Sequence, residues 1–263
     1  MKLEFIHLLI QNEHSMKIPA FITVRSESTR LPGKCFLSFG EGTVLDHIIK
    51  RCLYFGLRPI VCTTDRSSDI RIVHIADTNK IEVFRGESIN KLMRWRDCAS
   101  KFDLPYFHTV DADDPFFCGD EVKRSFKCML EGGYDMVSPT VSSSKGGATV
   151  GYSLKSSIVE QACVATEENT DTEMMWSYIE KIKNLNKTIL DEPTSNRIEA
   201  RLTLDYHEDY ILLETIRIVL GSFASRAQIY QLLANNSALK MINKSRGEEW
   251  AKNQKEKSAL SCD

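Results

Sequence analysis

Short apolar runs alternate with segments of helical spacing along the first half of the chain. Residues 18–24 read IPAFITV, an uncharged run with β-branched side chains, which predicts a buried strand. Residues 44–55 place their apolar side chains on one face of a helix. The same two patterns recur, and they predict further strands at 59–63, 81–84, 106–110 and 134–137 and further helices at 67–77, 89–102 and 120–130.

This alternation predicts an α/β fold. Strands that are short and apolar throughout are typical of a mostly parallel sheet with helices on both faces, which gives three layers. In such sheets ligands bind beyond the carboxyl ends of the strands, at the point where the strand order reverses. Two polar clusters, after residue 24 and after residue 110, follow predicted strands and therefore mark that edge.

The second half of the chain is less regular. Residues 142–149 are rich in Ser and Gly and predict a loop, whereas 198–204 alternate with the period of a strand. Helical spacing predicts helices at 171–183, 207–220 and 226–233. From residue 235 onward the chain is polar with mixed charges, which predicts a frayed tail or a segment that faces a partner.

Composition excludes several classes of protein. The 263 residues carry 34 basic and 36 acidic side chains, a net charge of −2, which argues against a nucleic-acid binder held by bulk charge. No apolar run reaches the ~18–20 residues of a membrane span, and we do not interpret the short run at 5–10 as a signal peptide. The eight cysteines form no CxxC pair and no zinc-type spacing, so we expect reduced thiols and a cytoplasmic location.

A basic loop follows the first predicted strand. Residues 25–34 read RSESTRLPGK, so three cations are interleaved with Ser, Thr and Gly. Backbone amides in such a loop can cradle phosphate oxygens while the cations neutralise them. The segment is not a Walker A loop, because it lacks GxxxxGK[ST]. A solvated basic turn is an equally good interpretation of the spacing alone.

Acidic residues form a second candidate site, one for a metal ion. Asp111, Asp113 and Asp114 follow a strand, and hard carboxylate oxygens in this arrangement suit Mg²⁺. A helix N-terminus rich in Asp is the alternative. Asp205 lies between a predicted strand and a predicted helix, where an N-cap is the better interpretation from spacing alone. Arg85 ends a strand and fits an ordinary turn equally well.

Taken in chain order, five segments resemble the cytidylyltransferase family that makes CMP-activated acidic sugars. The resemblance is greatest to its spore coat polysaccharide biosynthesis protein F branch, with CMP-3-deoxy-manno-octulosonate synthetases as relatives. Residues 25–34 match the motif RxxS[TK]RLPxK of that family at every defined position. The other four are VCTTD at 61–65, VFRG at 83–86, VDADDP at 110–115, and LTLD at 202–205 followed by Glu208 and Asp209.

The resemblance implies a Rossmann-like nucleotide-diphospho-sugar transferase fold, also described as GT-A-like. It implies a Mg²⁺-dependent transfer of CMP from CTP to an acidic sugar of the nonulosonic or octulosonic type, with release of pyrophosphate, and a homodimer. The catalytic residues it implies are Arg25, Lys34, Asp113 and Asp205, of which Asp113 and Asp205 hold the metal. The nucleotide-binding residues it implies are Arg25, Ser26, Ser28, Arg30, Lys34, Thr63, Thr64, Arg85 and Asp111.

The match is closer on the nucleotide side than on the sugar side. Asp111 and Ala112 replace the Gln and Gly usual in the octulosonate enzymes, and 146–153 only loosely resemble the sugar-contacting strand. Residues 171–176 stand where the spore-coat branch often has Arg-Glu-His. Two alternatives therefore stay open: a nucleotidyltransferase for a sugar or polyol phosphate, and a non-catalytic CTP-binding regulatory protein. The domain boundaries we predict are an N-terminal extension at 1–17, the cytidylyltransferase domain at 18–235 and a polar tail at 236–263.

Overall fold

The fold is built on a seven-stranded sheet. The computed structural model describes residues 17–144, 146–147, 151–192 and 200–250. The strands of the sheet are β1 (Pro19–Thr23), β4 (Arg58–Thr64), β5 (Glu82–Gly86), β6 (Tyr106–Asp111), β7 (Met136–Ser138), β8 (Ser153–Lys155) and β9 (Lys187–Ile189). A separate small hairpin consists of β2 (Ser38–Phe39) and β3 (Gly42–Thr43).

The order of the strands is β5–β4–β1–β6–β8–β7–β9, and every strand except β8 runs in the same direction. The central strand β1 pairs in parallel with β4 and β6, so that Thr23 lies opposite both Cys62 and Asp111. The carboxyl ends of these three strands therefore meet at one edge of the sheet. That edge carries the basic loop and the acidic cluster, as the sequence predicts.

Helices cover both faces of the sheet. They are α1 (Val44–Tyr54), α2 (Ile70–Thr78), α3 (Lys91–Lys101), α4 (Gly119–Gly132), α5 (Val141–Ser144), α6 (Ser156–Cys163), α7 (Trp176–Ile179), α8 (His207–Leu220), α9 (Arg226–Asn235) and α10 (Ser237–Met241). Because neighbouring strand residues point to opposite faces, Ile22 packs in one hydrophobic core and Phe21 in the other. The predicted three-layer α/β architecture is confirmed.

Helix α1 shows how local sequence fixes an element. Thr43 caps its N-terminus: the Asp46 amide donates to Thr43 Oγ1 at 3.2 Å, and the Thr43 amide donates to Asp46 Oδ2 at 2.9 Å. This reciprocal pair satisfies two amides that the first helical turn leaves without partners. The apolar face predicted from spacing is buried at Val44, Leu45, Ile48, Ile49 and Cys52. Leu53, predicted on the same face, is instead 43% exposed.

The strand predicted at 198–204 is wrong for its described residues, 200–204, which form no ladder. The alternation that suggested it is present, since Leu202 and Leu204 are buried. Their amides, however, donate to two separate loops, Leu202 to the Gly146 carbonyl at 2.7 Å and Leu204 to the Asp113 carbonyl at 2.6 Å. The alternating burial at 200–204 therefore comes from a segment that is hydrogen-bonded to two loops.

Two other predictions in the second half are only partly right. The helix predicted at 171–183 is reduced to α7, and the loop predicted at 142–149 begins within the short helix α5. Strands β8 and β9 and helix α6 are not predicted by the sequence pattern. Residues 145, 148–150 and 193–199 lie outside the described part of the chain.

The stretch after residue 235 packs against the rest of the chain as far as residue 250, instead of fraying. It contains α10 and a further helical stretch at 244–250. Asn243 is 2% exposed and hydrogen-bonds to Asp209. The domain boundaries at 17 and 235 stay predictions, and residues 1–16 and 251–263 lie outside the described part.

Two expectations from composition can be compared with the described residues. Among them, no helix has both the length and the apolar character needed to cross a membrane. The seven cysteines among them are free thiols, as predicted: Cys35, Cys52, Cys62, Cys98, Cys118, Cys128 and Cys163.

Buried His47 gives the fold a testable pH dependence. Its Nε2 lies 2.9 Å from the Pro115 carbonyl, and its ring contacts Phe39 and Phe116 edge-on. Burial lowers the pKa of His47 to about 4. Because the unfolded chain binds a proton near pH 6.5 and the folded chain does not, acidification favours unfolding. This histidine should lower the free energy of unfolding by about 1.4 kcal/mol per pH unit from pH 6.5 towards 4.

Urea denaturation of the wild type and of His47→Gln at pH 7 and pH 4.5 measures this effect. Glutamine can still donate to the Pro115 carbonyl and does not titrate, so the carboxylates contribute equally to both proteins. The wild type should lose about 2–3 kcal/mol more than the variant between the two pH values. Equal losses would show that His47 titrates normally in the folded chain.

Candidate active site

The basic loop leaves the carboxyl end of β1 and closes on itself. The Gly33 amide donates to the Ser26 carbonyl at 3.3 Å, and the Lys34 amide donates to the Leu31 carbonyl at 3.2 Å. Gly33 has φ of 65°, a conformation that favours glycine, and a 3-10 turn at Lys34–Phe36 follows it. Gly33 thus ends the basic loop in a tight turn, and Lys34 follows it directly in the 3-10 turn.

Asp69 anchors this loop from below, a role that the sequence analysis missed. Its Oδ1 accepts the Ser26 amide at 2.8 Å, and its Oδ2 accepts the hydroxyls of Thr64 and Thr63. Although burial opposes ionisation, the bonds from Ser26 and Thr64 lower the pKa of Asp69. The two threonines are buried, so in this structure their hydroxyls support the loop. Their contact with a nucleotide stays a prediction.

Lys34 links the basic loop to the acidic residues. Its Nζ donates to Asp113 Oδ2 at 3.0 Å, to Asp205 Oδ1 at 3.0 Å and to the Leu204 carbonyl at 2.9 Å. These three bonds use every hydrogen of the ammonium group. Burial opposes the charge, but Asp113 and Asp205 together raise the pKa of Lys34. The two residues predicted to hold a metal thus share one partly buried cation.

The acidic cluster consists of Asp111, Asp113 and Asp114. One oxygen of each lies within 4.8 Å of the others. Burial and the neighbouring carboxylates raise the pKa of Asp113 in spite of Lys34, and that of Asp114 rises well above its usual range for the same reasons. Asp114 is fully buried and accepts the Thr203 hydroxyl at 2.8 Å. A crowded set of hard oxygen donors of this kind fits Mg²⁺.

Asp205 has a different environment. Its Oδ1 accepts both Arg30 Nη2, at 2.9 Å, and Lys34, and its Oδ2 accepts Arg201 Nη2 at 2.8 Å. Burial opposes ionisation, yet Lys34 and Arg30 outweigh it and lower the pKa of Asp205. Three cations already bind this carboxylate, which lies outside the acidic cluster. Its predicted role as a metal ligand with Asp113 therefore stays a prediction.

The other predicted residues of the site have different surroundings. Arg25 is half-exposed and pairs with Glu173 at 3.0 Å. Arg85 donates to the carbonyls of Thr64, Asp65 and Arg66, so it ties the ends of β4 and β5 together. A groove of about 520 Å³ lies over the basic loop, and its lining comprises Arg25, Ser26, Glu27, Ser28, Thr29 and Pro32.

The site thus combines charges of both signs at one edge of the sheet. Arg25, Arg30 and Lys34 lie on the side of the basic loop, and the acidic cluster lies at the end of β6. Lys91 lies on the far side of the cluster, with its Nζ 3.6 Å from Asp111 Oδ1, and the sequence analysis did not single it out. Such an arrangement can bind an anion and a divalent cation side by side.

Comparison with known proteins supports the fold. A solved cytidylyltransferase from Leptospira borgpetersenii superimposes with a TM-score of 0.76 and 22% identity, over 86% of this chain and 97% of that one. A CMP:2-keto-3-deoxy-manno-octonic acid synthetase solved with CTP gives a TM-score of 0.58 and 14% identity, over 80% of this chain and 100% of that one.

The chain also has a relative in Methanocaldococcus jannaschii, an uncharacterized protein that is 26% identical over 233 residues, or 87% of this chain and 95% of that one. No protein-family model matches the chain. The similarity to these solved structures extends over 86% and 80% of this chain. The chain therefore has the Rossmann-like α/β fold that these nucleotidyltransferase structures share.

Proposed function

We propose that this protein is a cytidylyltransferase that transfers CMP from CTP to an acidic sugar and releases pyrophosphate. The observation that carries the proposal is the position of Lys34, which belongs to the basic loop and lies 3.0 Å from both Asp113 and Asp205. The loop motif at 25–34 and the similar fold of a synthetase solved with CTP support it.

The reaction requires that the sugar hydroxyl and the α-phosphorus be aligned and that the charge of the triphosphate be neutralised. A sugar hydroxyl attacks the α-phosphorus of CTP and loses its proton to water, a new P–O bond forms, and the bond to the pyrophosphate group breaks. Arg25, Arg30 and Lys34 would neutralise the triphosphate and hold it in line with the hydroxyl. Among the described residues, Arg25 pairs with Glu173 in an exposed ion pair, which is worth about 0–1 kcal/mol, so a phosphate can readily replace Glu173 as its partner.

In this proposal the acidic cluster provides the ligands for the metal. Asp111, Asp113 and Asp114 supply closely spaced hard oxygens that fit Mg²⁺, and Asp205 adjoins them through Lys34. When bound, Mg²⁺ would withdraw charge from the phosphate oxygens. The protein's own part is to hold these carboxylates together, although burial and the nearby Asp205 and Asp111 raise the pKa of Asp113.

A pyrophosphate-release assay tests the proposal. CTP, UTP, GTP and ATP are compared with a panel of octulosonic and nonulosonic acids, with Mg²⁺ and with EDTA. Release should need CTP, a sugar acid and the metal together. Equal rates with UTP or GTP would contradict the assignment to cytidine, and activity that persists in EDTA would contradict the metal.

The same assay separates the alternatives. Release with sugar phosphates or polyol phosphates, but not with sugar acids, would favour a nucleotidyltransferase for phosphorylated acceptors. Tight CTP binding with no release for any acceptor would favour a regulatory CTP-binding protein. We also propose a cytoplasmic homodimer, and size-exclusion chromatography with light scattering tests the dimer.

A further inference from the structure

Asp205 is held from behind by a buried arginine. Arg201 donates from Nη2 to Asp205 Oδ2 at 2.8 Å and from Nε to Asp209 Oδ1 at 3.0 Å. Arg201 is 8% exposed, Asp205 2% and Asp209 0%, so water cannot substitute for these bonds. One guanidinium group therefore fixes the relative position of two carboxylates.

Asp209 fixes the backbone that carries Asp205. Its Oδ2 accepts the amide of Asp205 at 2.9 Å and the amide of Tyr206 at 2.9 Å. The side chain of Asp205 is thus held by Arg201, while its main chain is held by Asp209. Both restraints act at the first turn of α8, where the chain reverses into the helix.

The C-terminal segment completes this arrangement. Asn243 Nδ2 donates to Asp209 Oδ1 at 2.8 Å and to the Arg201 carbonyl at 2.9 Å, and the residue is 2% exposed. The rings of Tyr206 and Trp250 lie 5.5 and 5.4 Å from the Arg201 guanidinium carbon. Asn243 and Trp250 therefore pack against Arg201 and Asp209, the two residues that hold Asp205.

We infer that Arg201, Asp209 and Asn243 are positioning residues for Asp205, and that residues 237–250 are needed for catalysis although they lie behind the site. The inference rests on the proposed function. Asp205 Oδ1 faces two cations of the basic loop, so any rotation of its carboxylate moves Lys34 and, through it, Asp113. Loss of partners behind an active-site group typically lowers activity or metal affinity about 10- to 100-fold.

Asn243→Ala tests the inference, with Asn236→Ala as a matched control. Asn236 directly precedes this segment, is exposed, and donates from Nδ2 to the Leu232 carbonyl. Asn243→Ala should lower kcat about 10- to 100-fold, because a displaced Asp205 carboxylate shifts Lys34 and, through it, Asp113. Asn236→Ala should keep the kcat of the wild type. Assays run well below the unfolding temperature of each variant.

Hydrogen exchange supplies a readout that does not depend on activity. Peptides that cover the amides of Asp205 and Tyr206 should exchange faster in Asn243→Ala than in Asn236→Ala. Unchanged exchange would overturn the inference, and so would faster exchange with an unchanged kcat. If the wild type releases no pyrophosphate with any acceptor, the proposed function fails and exchange alone decides whether Asn243 positions Asp205.

Discussion

Asp113→Asn is expected to lower the turnover of CTP-dependent pyrophosphate release at least about 100-fold, the effect of removing one preorganised electrostatic contact. Asp113 is the member of the acidic cluster that contacts the basic loop, since its Oδ2 accepts Lys34 at 3.0 Å. Its side chain is 30% exposed, so a ligand can reach it. Asparagine keeps the shape but removes the charge.

The stability of the same variant should stay unchanged or rise. Burial and the nearby Asp205 and Asp111 raise the pKa of Asp113, so the fold disfavours its charged form in spite of Lys34. An amide oxygen at this position can still accept from the ammonium group and relieves repulsion within the cluster. Turnover and stability would then change in opposite directions, as expected of a residue kept for function.

Steady-state kinetics and urea denaturation check both parts, with Asp77→Asn as the control. Asp77 is exposed on α2, away from the site. The control should match the wild type in kcat and in free energy of unfolding. A kcat of Asp113→Asn close to that of the wild type, or a large loss of stability, would contradict this account of the cluster.

The sequence predicts strands and helices correctly where a segment is long enough for its hydrophobic periodicity to be recognised. Strands β1, β4 and β6 and helices α1 and α8 are confirmed within a few residues. Strands β8 and β9 have three residues each, too few for alternation to be distinguished from a loop. The alternation at 200–204 is genuine burial, but the hydrogen bonds that decide against a strand come from distant loops.

The candidate site also has a part that the sequence predicts and a part that it does not. That the polar clusters share one edge follows from the parallel sheet, and it is predictable from where the strands end. The partners within the site are not predictable in this way, because Lys34 and Asp205 are 171 positions apart and Asn243 and Asp209 are 34 apart. Asp69 has only the local pattern of an acid in the first turn of a helix, and its role depends on a loop 43 positions away.

Lys34→Met is expected to destabilise the folded chain by about 1–3 kcal/mol, less than the ~3–5 kcal/mol of a fully buried ion pair, because the side chain of Asp113 is 30% exposed. The ammonium group is the shared partner of Asp113 and Asp205, and its side chain is only 16% exposed. Methionine fills similar space without a charge, so the Leu204 carbonyl also loses its donor. Asp205 keeps Arg30 and Arg201, whereas Asp113 is left without its cation.

Because Asp113 loses its cation while Asp205 keeps two, the double variant Lys34→Met with Asp113→Asn tests whether the charge of Asp113 causes the destabilisation. If the destabilisation comes from an uncompensated carboxylate, removal of that charge should recover part of the lost free energy of unfolding, and the two substitutions will not be additive. Lys50→Met, at an exposed position on α1, should change stability by no more than about 0.5 kcal/mol. Additive losses in urea denaturation would instead mean that Lys34 stabilises the fold through packing and the Leu204 carbonyl alone. The basic loop and the acidic cluster would then be neighbours without electrostatic coupling.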